Sequence, residues 1–235
     1  MASFHLVRER HGRAVHALAR LGFDRPRLAR TDGLEFWRLL GTGRGDDTGP
    51  GADLRRTAVF AVWRTEADLE RFMASSPIAR RWKKAEEAWH VRLRGIGGHG
   101  SWRGVDPLDG LTPGTSDGPI AVITRADVRA RSWRAFGRAG REVDAELHTA
   151  EGLLAVIGIG EAPVGRLGTF SLWASSDAVR AFAYSMPRHQ QVIEETRAGD
   201  WYGEELFARF EPFASTGTWD GRDPLAGAEP VNRGS

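Results

Sequence analysis

Short apolar runs alternate along the chain with stretches of helical period, and the alternation occurs twice. "FHLV" (4–7), "LEFWRLL" (34–40) and "AVFAVW" (58–63) are rich in aromatic and branched residues and predict strands, whereas apolar spacing over 12–21, 66–74 and 78–89 predicts helices. Further on, "IAVIT" (120–124), "LLAVIGI" (153–159), "LGTFSLW" (167–173) and "ELFARFEPF" (205–213) predict strands, with helices near 131–147, 177–184 and 188–198. Thr65, and Ser176 or Asp177 in the second series, stand where helices need an N-cap. The Gly/Pro-rich stretches "GPGADLRR" (49–56), 98–118 and "GEAPVGR" (160–166) read as loops, and "GTGRGDDTGPGADLRR" (41–56) is long enough to serve as a lid.

The two series are copies. "VFAVWRTEADLERFMASSP" (59–77) falls on "TFSLWASSDAVRAFAYSMP" (169–187) at an offset of 110. "LLGTG" (39–43) on "VIGIG" (156–160), and "GSWRGVDPL" (100–108) on "GTWDGRDPL" (217–225), register at 117. The element order β-α-β-β-α-β, twice over, is that of the split ferredoxin-like unit. Such a unit carries helices on one face of its sheet only, so a second copy can cover the other face. The expected fold class is therefore α+β: tandem duplicated ferredoxin-like units forming a dimeric-type α+β barrel within one chain, with an apolar space between the sheets. The halves are expected at 1–110 and 118–226, followed by a loose tail, 227–235.

Composition narrows the chemistry. With 33 basic against 31 acidic side chains the net charge is only +2, too little to recruit nucleic acid. Lys83 and Lys84 are the only lysines, a bias that tracks base composition more than function. The absence of cysteine removes disulfides, iron–sulfur ligation, a thiolate nucleophile and thiolate-ligated haem, and suits a reducing compartment. The start "MASFHLVRER" has no apolar export core and no stretch reaches the length of a membrane span, so a cytoplasmic location is expected.

A duplication supplies its own control, because structural needs are shared between copies and a site need exist in only one. In "SMPRHQQVIEETRAGDW", His189 lines up with Val192, Ile193 and Thr196 on one helix face, and at the offset of 110 it falls on Ala79. The fold thus does not require this histidine, which makes it a candidate metal ligand. The remaining histidines form no H-E-x-x-H, and His148 with Glu151 is the nearest approach to a metal pair. One strong protein ligand suits haem better than a bare ion, and arginines such as Arg188 and Arg197 are available for its carboxylates. Neither "GTGRG" nor "GIGEAP" has the spacing of a nucleotide loop. Arg44 and Glu161, expected at one barrel end, are further candidates for contact with a ligand, whereas Arg125, just after "IAVIT", repeats Arg8 at an offset of 117, which points to a shared structural role.

Several of these segments together resemble the spheroidene monooxygenase family of carotenoid oxygenases: "GIGE", "FSLW", the Pro-x-His helix start, "WYGEELFARF" and "GTWDGRDPL", with "TDGLEFWRLLGTGRG" and "GPIAVITRADVR" in the same order. The resemblance implies a haem oxygenase that introduces a keto group into an acyclic carotenoid, using dioxygen and an external electron donor such as a ferredoxin-like protein or reductase. It places haem b iron on His189; Arg125, Arg44 and Glu161 are catalytic candidates from the reading of the residues and not from the family's motif, with Arg125 the expected polar group on the sheet-lined side. The implied partners are an apolar small molecule and, for a lipophilic substrate, a membrane surface touched peripherally; no nucleic acid is expected, and the oligomeric state stays open. Two other readings remain: a haem enzyme of N–O chemistry akin to aldoxime dehydratase, and a cofactor-free module that binds an apolar ligand.

Overall fold

The structure, a computed structural model, describes all of the chain except residues 13–21, 44–51, 110, 112, 113, 115, 162–165, 186–198 and 228–235. Eight strands form one closed barrel: β1 (Ala2–Arg8), β2 (Leu34–Gly43), β3 (Ala52–Trp63), β4 (Glu87–Gly100), β5 (Ile120–Val128), β6 (Leu153–Glu161), β7 (Arg166–Trp173) and β8 (Tyr202–Gly217). Their order around the barrel is β1-β3-β2-β6-β7-β5-β8-β4, and every pairing is antiparallel. Each half contributes four neighbouring strands in the same relative order, as the duplication requires.

On the outside lie the helices. In the first half they are α1 (Arg25–Leu28), α2 (Glu66–Ser75) and α3 (Pro77–Trp82), and in the second α4 (Trp133–His148), preceded by a 3-10 turn at Ala130–Ser132, and α5 (Ser176–Ser185). Helix α2 begins with a capping box in which the Thr65 hydroxyl accepts from Asp68 N while the Asp68 carboxylate accepts from Thr65 N. The corresponding cap of α5 is Ser175, whose hydroxyl accepts from Ala178 N, one residue earlier than expected.

Two expectations about elements are corrected. The helix anticipated over 78–89 stops at Trp82, because Trp89, Val91 and Leu93 point inward while His90, Arg92 and Arg94 alternate with them, a strand period that begins β4 at Glu87. Likewise 52–56 belongs to β3 rather than to a loop.

Strand register refines the offset between copies. Phe4 faces Phe60 and Ile123 faces Phe170, so β5 follows β1 at an offset of 119, not 117. The same 119 relates β2 to β6, since Leu39 faces Val59 and Gly158 faces Thr169. The offset of 117 holds for β4 and β8, where Ser3 faces Arg92 and Val122 faces Arg209.

The barrel interior is solid, which corrects the expected apolar space between the sheets. Phe4 and Phe170 stack across the middle at 3.8 Å, and one indole enters from each end. Trp102 packs on Phe36 and Phe60; Trp219 packs on Trp89 and Phe170. Each indole rides on a two-residue turn, Arg103-Gly104 and Asp220-Gly221, with positive φ at all four residues. A glutamate of the opposite half accepts from each turn: Glu204 from Ser101, Arg103 N and Gly104 N, and Glu87 from Thr218 and Gly221 N.

Candidate functional site

Outside the barrel, in the layer between each sheet and its helices, the two copies differ. In the first half this layer is tightly filled by Trp37, Leu39, Val59 and Val7 from the sheet and by Leu69, Phe72, Ile78, Ala79 and Trp82 from the helices. It also holds a histidine pair, the buried His5 and the half-buried His90, whose Nδ1 atoms lie 3.1 Å apart so that one donates and the other accepts. Ser3 ties His5 Nε2 to the layer and itself accepts from the Trp63 indole. Burial holds both imidazoles neutral: His5 falls well below its ordinary value, through desolvation and then the neighbouring His90, and His90 falls to about 4 through desolvation.

By the register above, five helix-facing positions of the second sheet carry smaller side chains, while Ser3 gives way to the larger Val122 and His90 to the larger Phe207. Trp37 is replaced by Val156, Leu39 by Gly158, His5 by Thr124, Val59 by Thr169 and Val7 by Ala126. The helix side chains over it are less enclosed as well: Leu69 and Phe72 are buried, while Val179 and Phe182, their counterparts in α5, are half-buried. Beside Thr124, Thr169 and Ser171, this floor is formed by the apolar Ile120, Val122, Val156, Trp173 and Phe207 with Ile96 from the neighbouring half. One cation stands in it, Arg209, between Val122 and Gly97 on the adjoining strands.

The sequence-derived candidates divide into two groups. His189, Arg188, Arg197 and Arg44 lie outside the described residues. The position matching His189, Ala79, is fully buried in α3 against the first sheet. Arg125 and Glu161 do come together, but at a barrel end and around Trp102. Arg125 donates to Glu204 and lies against Trp102, while Glu161 accepts from the Trp102 indole and from Arg103 and lies 3.6 Å from Arg38.

The register places Arg125 in the inward row of β5, beside Ala121 and Ile123 and on the face turned away from α4 and α5. Its counterpart is Leu6, not Arg8, whose own counterpart is Asp127. This corrects Arg125 as the polar group facing a helix-side ligand: its guanidinium, 2% exposed, is engaged by the plug. Strands β2 and β6 meet antiparallel at Gly41 and Gly160, so Gly43 and Glu161 leave toward opposite barrel ends, and the expected convergence of Arg44 with Glu161 does not hold for the strands that lead to them.

Electrostatics reinforce the structural reading of this end. Burial works against the charge on Glu204, yet hydrogen bonds from Gly104 N, Ser101, Arg103 N and Arg125 hold its carboxyl at about 2. Arg38, lowered to about 10 by desolvation and by the neighbouring Arg103 and Arg125, with Glu161 opposing, stays a cation. His148 pairs with Asp144 at 3.5 Å, and among the described residues no three His, Cys, Asp or Glu side chains converge as a metal site. Sequence reasoning missed the His5–His90 pair and Arg209; the first needed the register of β1 on β4, the second the knowledge that β8 turns residue 209 toward the helices.

The fold is a single-chain dimeric-type α+β barrel whose two helix-facing layers differ in their side chains. The crystal structure of aldoxime dehydratase has the same fold, with a TM-score of 0.56 at 13% identity over 90% of this chain and 80% of that one. Aldoxime dehydratase in complex with butyraldoxime aligns equally, at a TM-score of 0.56 and 14% identity over 90% of this chain and 79% of that one. In sequence the chain is 32% identical over 206 residues to spheroidene monooxygenase of Rhodobacter capsulatus, covering 86% of this chain and 83% of that protein. It is 34% identical over 192 residues to that of Rubrivivax gelatinosus, covering 81% and 73%. The match to the Cereibacter sphaeroides protein, 33% identical over 198 residues, takes in 83% of this chain but 60% of the relative's length. No family model matches the chain. The chain belongs to the spheroidene monooxygenase family. Among the described residues no helix is long and apolar enough to cross a membrane.

Proposed function

We propose that the protein is a haem-dependent monooxygenase that oxidises an apolar organic substrate, with haem b lodged between the second sheet and its helices. Family membership supports the oxygenase class, and the observation that carries the site is the smaller side chains on the helix-facing side of β5 and β6, where Trp37 gives way to Val156, Leu39 to Gly158 and His5 to Thr124. The floor suits a porphyrin: it is largely apolar, and it contains a buried nitrogen, Nε of Arg209, with no hydrogen-bond partner. Bound there, haem iron would supply dioxygen activation, with electrons from an external donor such as a ferredoxin-like protein or reductase.

The chain's own contributions are binding, orientation and exclusion of water. His189 would hold the iron through one imidazole nitrogen, and a hydrogen bond donated by the other would fix the tautomer and raise basicity. Arg188 and Arg197 pair with the porphyrin carboxylates. Val122, Val156 and Phe207 seat the apolar substrate and keep water out. A substrate of this kind partitions into lipid, so peripheral membrane contact belongs to the same reading.

The test is an absorption spectrum after haem-supplemented expression. A Soret band that is lost in His189→Ala supports the reading, and a colourless protein overturns it. Turnover without dioxygen would replace oxygenation by another haem chemistry.

A further inference from the structure

In the half without the proposed ligand, the arginine at the matching place is neutralised. Arg92 of β4 projects from the helix-facing side of the first sheet and makes ion pairs with Glu66 and Glu70 of α2. Arg209 occupies the same register position in β8. At the offset of 110 that relates α2 to α5, the two carboxylates become Ser176 and Arg180. One partner has been deleted and the other reversed in charge, and Arg180 pairs instead with Asp177.

Among the described residues Arg209 makes no hydrogen bond and no ion pair, although it is only partly exposed and its Nε is buried. A buried Nε–H without an acceptor costs stability, since its desolvation is not repaid. The fold demonstrably supports a neutralised version of the same position, so the cost is not forced by architecture. Such a residue is retained where a ligand brings the missing charge.

We propose that Arg209 is an anion-recognition residue on the helix-facing side of the second sheet, the counter-charge to an anionic group that a bound, largely apolar ligand presents from the helix side. This deepens the haem reading and rests on it for the identity of the ligand. The anion has two possible sources, a carboxylate on the apolar body or a small anion held at the iron. The recognition chemistry is the same for both, charge-assisted donation from a forked guanidinium.

The experiment compares wild type, Arg209→Met, Arg180→Glu and the control Arg92→Met. In the ligand-free protein Arg209→Met is expected to melt at or above the wild-type temperature, Arg180→Glu to melt higher because it restores the carboxylate of the first half, and Arg92→Met to leave ligand binding unchanged. Hemin is titrated against hemin dimethyl ester, and azide against the hemin complex. A tenfold or greater loss of hemin affinity in Arg209→Met, with ester affinity unchanged, assigns the anion to a carboxylate; a tenfold loss of azide affinity alone assigns it to the iron. Should the protein take up no hemin, the haem reading falls, and Arg209 is then judged by dodecanoate against dodecanol, which wild type is expected to separate at least tenfold and Arg209→Met not at all. A melting temperature lowered by several degrees in Arg209→Met, or anion affinities equal in wild type and variant, overturns the proposal.

Discussion

At the scale of single residues, what is buried and charged in this protein is explained by its neighbours rather than by its position in the repeat. His5 and His90 are neutral when folded and lie below the usual imidazole range, His90 at about 4. Their unfolded counterparts take up protons near 6.5, so the unfolded state binds more protons below that pH. Stability is expected to be flat above pH 6.5 and to fall by about 1.4 kcal/mol per pH unit per histidine between about 6.5 and 4. His90→Phe, which installs the residue found at the matching place, Phe207, should flatten that slope in urea melts taken at several pH values. Glu204 works in the opposite window: its folded value of about 2 means its stabilisation is complete above pH 4.5 and lost as pH falls toward 2. Glu204→Gln strips the charge from the partner of the buried Arg125, and a loss of about 3 kcal/mol is expected in the same melts at neutral pH. Arg125 itself shows how far a residue can be read from sequence. Its repetition of Arg8 at an offset of 117 suggested shared structure, and only strand register shows that it replaces Leu6 inside the barrel.

Elements were more legible than residues. Alternating apolar runs located the strands because each faces the solid interior on one side and a helical layer on the other, and the repeat of "FAVW" and "FSLW" fixed β3 on β7. The fourth strand of the first half was obscured because "RRWKKAEEAWH" has apolar residues at helical spacing up to Trp89, and the pairing of β4 with β1 overrides it. The plugs carried no strand or helix period, yet they are among the most consequential elements: Trp102→Ala and Trp219→Ala are each expected to cost about 3–5 kcal/mol by leaving a hole beside the central aromatic rings, measurable by denaturant unfolding. Removing the hydroxyl cap of α2 in Thr65→Ala is a smaller perturbation, about 1 kcal/mol.

At the scale of the molecule, the duplicated architecture was legible and the location of the site was not. The sequence pointed to His189 by contrast with Ala79, and it placed the open space between the sheets, where the interior is packed solid. On the outer face of the second sheet the structure shows smaller side chains at several positions, such as Gly158 in place of Leu39, which no periodicity displays. Barrel closure is also uneven. β4 and β8 pair from Trp89 to Gly100, whereas β2 and β6 share only Gly41 with Gly160 and Thr42 with Ile159. Hydrogen exchange is expected to be fastest along the β2–β6 seam, the first place where the wall can part.

The reciprocal grip of Glu87 and Glu204 on each other's turns has a consequence for inheritance. Each copy fastens the stopper that its sibling inserts, so neither can drift in sequence at these places without loosening the other. A polypeptide severed between the copies should behave as two pieces that find each other again, and co-produced fragments that failed to co-purify would show that the covalent link, rather than this mutual latch, unites the two copies.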